Sequence, residues 1–363
     1  MRILVDIGHP GHVHLLKYVA KNLEKKGHQV FYSVRDIPVA KRLMDHYGMP
    51  YIDLGKKSDT LFGKAWTVIK QDLILFWYVL IHKIDIGLSN GIVLPHVSRV
   101  TKMTSIVCDD DDDAVEELMA KYSHPFTDIV LSPVALRGHR RTDRAIFYAG
   151  YHELAYLHPN VFQPDESILN KLGVKKGEKY FVMRFVALKG FHDVGNKGLS
   201  FEQKKILVNI LSKYGRVIIT AERQLEPEFE PYRLAVPAED MHSVLYYASL
   251  YIGDSQTMTS EAAVLGVPAL RCNTFVGRIA YLEEEEHKYD LTYGFTPDQF
   301  DLLVEKLETM LANPNLKKEW EAKRQKMLND KIDVSAFFTW FVENYPESKY
   351  IMKENPDYQY HFK

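Results

Sequence analysis

Short apolar runs alternate along this chain with stretches whose apolar positions fall three and four apart. Ile3–Val5 reads as a buried strand, and Leu15–Lys26 has helical spacing that stops at Gly27. Gln29–Val34 is extended, Pro38–Tyr47 is helical up to Gly48, and Met49–Leu54 is extended again. Thr60–His82 predicts a long helical region. Ile84–Leu88, Thr104–Cys108 and Asp128–Leu131 predict strands, with a helix around Leu94–Thr101. Strands that are apolar throughout, separated by helices, belong to a parallel sheet covered on both faces.

Residues 145–178 interrupt the rhythm with Gly150, Pro159, Pro164, Gly173 and Gly177, and are expected to be linker and hinge. The alternation then restarts. Tyr180–Phe185, Arg216–Thr220, Leu250–Ile252 and Pro268–Leu270 read as extended; Phe201–Tyr214, Met241–Ala248, Glu261–Leu265 and Pro297–Leu311 read as helical. Trp320–Leu328 and Val334–Asn344 predict two more helices. The expected fold class is α/β, with two doubly wound parallel-sheet domains at 1–160 and 161–345. The last helices are candidates to return to the first domain, and 346–363 is expected to be a partly loose tail.

Composition narrows the function classes. The chain has 363 residues, 46% hydrophobic, enough for two packed cores. Its formal net charge of -2 comes with dispersed Lys and Arg, which argues against nucleic acid as a partner. Two cysteines exclude a disulfide framework or a cysteine zinc site. No signal peptide is expected ahead of the strand at Arg2–Asp6, so a cytoplasmic location is expected. Leu73–Ile81 is too short to span a bilayer. It suits a buried helix or, with Trp77 and Tyr78 beside Lys70, His82 and Lys83, a peripheral contact with the inner face of a membrane.

The richest stretch is Tyr251–Arg271. A strand ends in Gly253-Asp254, a polar loop runs from Ser255 to Ser260, and a helix follows from Glu261. A helix N-terminus suits an anion such as phosphate, through the backbone N–H groups of Thr257 to Ser260. Glu261, placed in the first turn, could accept from a sugar hydroxyl. The second notable loop, Asp6–His14, follows the first strand and carries Gly8, Gly11, His9, His12 and His14. Glycines there allow close approach of backbone to ligand, and imidazoles titrate near neutral pH. The histidine spacing does not match a zinc site, so no metal is expected. Asp109–Asp113 reads as a solvated loop carrying a helix cap, or as the source of a carboxylate, Asp109 first, that orients or deprotonates a hydroxyl. Arg184 ends a strand beside a glycine-rich loop with Lys189, His192 and Asp193; it and Arg223 could grip a diphosphate.

Together these pieces resemble the GT-B architecture, two doubly wound domains facing a cleft. It is found in nucleotide-sugar glycosyltransferases and in the non-hydrolysing UDP-N-acetylglucosamine 2-epimerases. The nearest likeness is to an uncharacterised prokaryotic GT-B-like family known only as a domain of unknown function. It rests on Asp6–His14, Tyr148–Leu157, Arg184 with His192-Asp193, and Gly253–Pro268, and reaches to about Tyr345. The resemblance implies that the second domain holds the nucleotide, with Ser255, Thr257, Met258 and Thr259 toward the diphosphate and Glu261 toward the ribose. It also implies that the Gly8–Gly11 loop meets the diphosphate or acceptor, with His12, then His9, as general base, and that Arg184 and His192 contact the sugar nucleotide. The chain departs from the epimerases in lacking their N-terminal Gly-Thr-Arg-Pro-Glu stretch, and carries Asp-Ser-Gln-Thr where many relatives have Ser-Gly-Gly. The implied activity is sugar transfer from a nucleotide-diphosphate sugar to an acceptor, with no cofactor required, in surface polysaccharide or glycoconjugate synthesis. The alternatives are a sugar-nucleotide 2-epimerase and a non-catalytic nucleotide-sugar-binding protein.

Overall fold

The computed structural model describes residues 1–56, 61–175, 177–186, 198–221, 224–234 and 236–363. It divides into two compact units, Met1–Val161 with Lys331–Lys363, and Phe162–Asp330.

The first unit is built on β1 (Arg2–Ile7), β2 (Gln29–Val34), β3 (Tyr51–Asp53), β4 (Ile86–Ser89), β5 (Thr104–Cys108), β6 (Ile129–Pro133) and β7 (Ala145–Tyr148). These form one parallel sheet in the order β3-β2-β1-β4-β5-β6-β7. The connecting helices are α1 (Pro10–Lys25), α2 (Pro38–His46), α3 (Leu61–His82), α4 (Val93–Ser98) and α5 (Glu117–Tyr122). A short helix, α6 (Leu154–Leu157), follows β7. The chain builds outward from β1 to β3, then crosses back through α3 to lay β4 on the other side of β1. That reversal places a crevice at the carboxyl ends of β1 and β4, where doubly wound sheets hold ligands. Register sets Asp6 opposite both Ser33 and Ser89. Beneath α3, Leu75 and Val79 pack against Leu4, Val93, Leu94 and Val97 in the sheet's core.

The second unit holds α7 (Ser167–Leu172), β8 (Tyr180–Phe185), α8 (Phe201–Leu211), β9 (Arg216–Ala221), α9 (Met241–Tyr247) and β10 (Leu250–Gly253). It continues with α10 (Gln256–Leu265), β11 (Ala269–Cys272), α11 (Ala280–His287), β12 (Thr292–Phe295), α12 (Phe300–Ala312) and α13 (Leu316–Asp330). Its sheet is also parallel, in the order β12-β11-β10-β8-β9. Here the reversal lies between β8 and β10. Register puts Gly253 opposite Arg184, and Arg184 opposite Thr220.

Two expectations from the sequence are corrected. Residues 145–157 are not linker: β7 completes the first sheet, and Tyr148, Tyr151 and Leu154–Leu157 are buried in that unit. The glycines and tyrosines of this stretch masked a strand only four residues long. Nor is the C-terminal segment loose. After α14 (Val334–Glu343) the chain forms α15 (Glu347–Glu354) and a 3₁₀ segment, Pro356–Phe362. The Gln359 side chain accepts from the Ala149 N–H, and the Asp333 N–H donates to the Phe362 carbonyl at 2.8 Å. Helix α14, capped by Asp333 through the Ala336 N–H at 2.9 Å, packs on α1 and α6 and buries Phe337, Phe338 and Phe341. Each such ring contributes about 1.5–3 kcal/mol by burial. The short turns hide this from a periodicity reading, because the anchoring contacts lie far away in sequence.

Candidate functional site

At the β1 end of the first crevice, His9 caps α1 and Pro10 occupies its first turn. The His9 Nδ1 accepts from the Gly11 N–H at 3.2 Å, and the His12 Nδ1 accepts from the Gly8 N–H at 3.2 Å. A neutral imidazole whose Nδ1 accepts carries its proton on Nε2. Both rings, 5.9 Å apart between centroids, are therefore set as Nε2–H donors beside a helix N-terminus. That arrangement favours an anion or a sugar oxygen; for either ring to act as a base through Nε2, the Nδ1 contact must first break. His14 lies inward, buried near the rings of Tyr47 and Tyr156.

Neither Gly8 nor Gly11 adopts a positive φ. Gly8 leaves room for Arg35: a Cβ there would lie 2.0 Å from its Nη1, so the end of that side chain would have to shift. Arg35, at the end of β2, is buried, with Nη2 3.7 Å from the Asp6 carboxylate. Asp6 accepts from Ser33 Oγ at 2.7 Å, and its other oxygen has no hydrogen-bond partner. Gly8→Ala is expected to push the Arg35 guanidinium off Asp6, lowering the melting temperature by a few degrees for a loss of about 1–3 kcal/mol. Differential scanning calorimetry reads this directly. An unchanged melt would mean that Arg35 yields freely.

The Asp109–Asp113 run is not a solvated loop. Asp109, Asp112 and Asp113 are buried. Arg140, on the segment after β6, donates to Asp109 at 3.0 Å, to Asp113, and through its other nitrogens to Ser132 Oγ and the Asp109 carbonyl. His124 Nε2 lies 2.7 Å from Asp109. Burial pushes the Asp109 carboxyl up, but Arg140 and His124 outweigh it and hold it below the ordinary range. Asp109 is thus an ion-pair anchor and a weak base. Asp110 lies 2.9 Å from Nδ1 of His152, whose buried Nε2 has no hydrogen-bond partner. A carboxylate on Nδ1 with Nε2 left to accept is the geometry of an oriented imidazole base. Asp109, Asp110 and Asp111 bring ligand atoms within 4.8 Å of one another, the spacing a cation could use. Cationic and imidazole partners already engage Asp109 and Asp110.

In the second unit α10 begins at Gln256, earlier than the expected start at Glu261. Gln-Thr-Met-Thr-Ser has the look of a loop because its hydroxyls compete with backbone bonds. Here they join the helix: Ser255 caps it, its Oγ accepting from the Met258 N–H at 3.3 Å, and Thr259 Oγ1 donates to the Ser255 carbonyl at 2.6 Å. Helix geometry leaves the N–H groups of Gln256 and Thr257 at the open end and takes those of Thr259 and Ser260 inside. Ser255 is half-buried and Thr257 exposed, while Met258 and Thr259 turn inward. Glu261 is therefore mid-helix, buried, and 3.0 Å from His242 Nε2.

Beside that helix end, Arg184 donates to Thr220 Oγ1 at 2.9 Å. Asp254 accepts from the Val186 N–H at 2.8 Å, and burial pushes its carboxyl up to about 6. Arg184, Asp254, Ser255 and Thr257 thus gather at the β8/β10 reversal. His192, Lys189, Asp193 and Arg223 lie outside the described residues. The reading of the sequence missed Arg35, Arg140 and His152. Arg35 carried the signal used for Arg184, an arginine at a strand's carboxyl end; Arg140 and His152 sat in segments read as loop and linker.

The two parallel-sheet α/β units have the GT-B type of fold. The chain belongs to the family described as protein of unknown function DUF354, whose model matches residues 1–290. Uncharacterized protein MJ0665 of Methanocaldococcus jannaschii is 25% identical over 300 residues, covering 78% of this chain and 86% of its own length. Among solved structures, the UDP-GlcNAc 2-epimerase of the same organism, in complex with UDP-GlcNAc and UDP, superposes with a TM-score of 0.62. It is 13% identical, with 90% of this chain and 99% of that one covered. The glycosyltransferase VinC in complex with dTDP gives a TM-score of 0.59 at 12% identity, covering 98% and 100%. These likenesses establish the fold.

Proposed function

We propose that this protein is a glycosyltransferase that moves a sugar from a nucleoside-diphosphate sugar to an acceptor hydroxyl without a required metal or other cofactor, in surface polysaccharide or glycoconjugate synthesis. The observation that carries the reading is the second unit's strand reversal. The strand that leads into α10 ends there opposite Arg184, so a helix N-terminus and a strand-end guanidinium, the latter turned toward Thr220, lie at the same sheet edge, two sources of positive charge suited to a diphosphate. In this reading Ser255 and Thr257 contact the diphosphate directly, the buried Met258 and Thr259 shape the turn, and Glu261 with His242 flanks the ribose. His192 is proposed to contact the sugar nucleotide.

In the first unit, His9 and His12 as Nε2–H donors suit an anionic or sugar oxygen, and the Asp110–His152 pair is the proposed proton acceptor, once its buried Nε2 is opened to the acceptor hydroxyl. Asp109 positions that loop through Arg140. The ligands of those neighbouring structures, UDP-GlcNAc, UDP and dTDP, support a nucleotide sugar as substrate.

A thermal-shift panel of UDP, dTDP, GDP and their sugars tests this. One base is expected to raise the melting temperature, and Arg184→Ala to weaken that binding about ten- to a hundredfold. No shift with any nucleotide would remove the reading. Incubating the bound nucleotide sugar in D₂O without acceptor separates transfer from epimerisation: deuterium in the recovered sugar would convert the assignment to an epimerase.

A further inference from the structure

We propose that the outer face of α3 is a lipid-binding face that seats the first unit on an anionic membrane surface. The inner side of this 22-residue helix is ordinary: Gln71, Leu75 and Val79 are buried against the sheet and α4. Its outer side is not. Trp66, Ile69, Leu73, Trp77, Leu80 and Ile81 are exposed, Trp66 by 63%, Leu73 by 57%, Trp77 by 60% and Ile81 by 70%. At about 100° per residue these positions fall within an arc of about 120°, with both tryptophans near its centre. Lys70 is the one polar residue among the described exposed positions of the helix. A surface helix of a protein wholly in water presents charge there; this one presents tryptophan and leucine.

Charge selects the occupant. The helix's one acidic residue, Asp72, is half-buried and lies 3.2 Å from Nδ1 of His96. Lys70 lies within the apolar arc, and exposed Lys83 lies just past the end of the helix, ahead of Asp85, whose carboxylate accepts from the Arg2 N–H. An apolar face with cations and no exposed carboxylate on the helix offers a second copy no opposite charge and attracts anionic headgroups. Tryptophan, with a wide apolar ring and one N–H, suits the headgroup boundary. Among the described residues no helix is long and apolar enough to cross a membrane, so this contact lies in the plane of one leaflet. The proposal stands independently of the sugar-transfer reading.

The test is sedimentation of the full chain with vesicles of phosphatidylglycerol and, separately, of phosphatidylcholine. Binding to phosphatidylglycerol is expected to exceed binding to phosphatidylcholine and to weaken with salt. Tryptophan emission should shift to the blue, since Trp66 and Trp77 are exposed whereas Trp320 is already buried. Leu73→Glu with Trp77→Glu should lower vesicle binding at least tenfold with an unchanged circular-dichroism melt, and Lys70→Glu should lower binding to phosphatidylglycerol alone. No sedimentation with either vesicle by the folded protein overturns the proposal. So does a dimer, seen by light scattering, that the Leu73 and Trp77 changes dissolve.

Discussion

Arg140→Met is expected to destabilise the protein by about 3–5 kcal/mol, because it leaves Asp109 and Asp113 buried without their shared cation. In a unit of this size that is on the order of a 10 °C fall in melting temperature. The pH dependence identifies the cause. With Arg140 present, the folded Asp109 carboxyl lies below its unfolded value. Its contribution is therefore full above the unfolded pKa, about 3.9, and is lost as pH falls through the lower folded value. Without Arg140, burial dominates and the folded carboxyl rises. The variant is then penalised most at neutral pH and recovers relative to the parent as pH drops toward about 4. Urea unfolding at pH 7 and at pH 4.5 measures both. An equal deficit at the two values would mean that lost packing, not charge, explains the effect.

His12→Ala is expected to lower kcat/KM for sugar transfer by about 10²–10³ while leaving nucleotide affinity within about twofold. A glutamine variant separates the roles open to this ring. Glutamine can place an N–H near the position of the imidazole Nε2 but cannot take up a proton. If His12 donates, as its Nδ1 contact with Gly8 requires of the neutral ring, His12→Gln should keep most of the activity. If it is the base, glutamine should be as damaging as alanine. If His12 is the donor and His152 the base, His152→Ala should show the larger loss, about 10²–10⁴.

The apolar strands and helical spacings made most of the architecture readable, because strands covered on both faces carry a pattern that turn residues cannot disguise. Elements failed where local chemistry hid them. The start of α10 is rich in hydroxyl side chains, and only the Ser255 cap and the Thr259 back-bond show that these residues are helical. β7 lies among glycines and tyrosines and exists by pairing with β6, a partner the local sequence does not name. The site divides the same way. Loops at strand ends were legible: Gly8 to His12, Ser255 and Arg184 all lie at carboxyl edges. What those side chains do was not, since it depends on distant partners. Gly8 looked like a flexible turn and is a seat for Arg35; Asp109 looked like a base and is the counter-ion of Arg140; Glu261 looked like a first-turn carboxylate and is the partner of His242.

The return of residues 331–363 to the first unit has a consequence for synthesis. Residues 162–330 form a contiguous unit, complete in sequence before α14 is made. The unit begun first is finished last: until α14 emerges, the face of α1 that it covers and the Ala149 N–H that Gln359 accepts from have no native cover. The N-terminal unit thus keeps an open apolar flank until α14 is made, and a stop codon between α6 and α14 would leave it in that state.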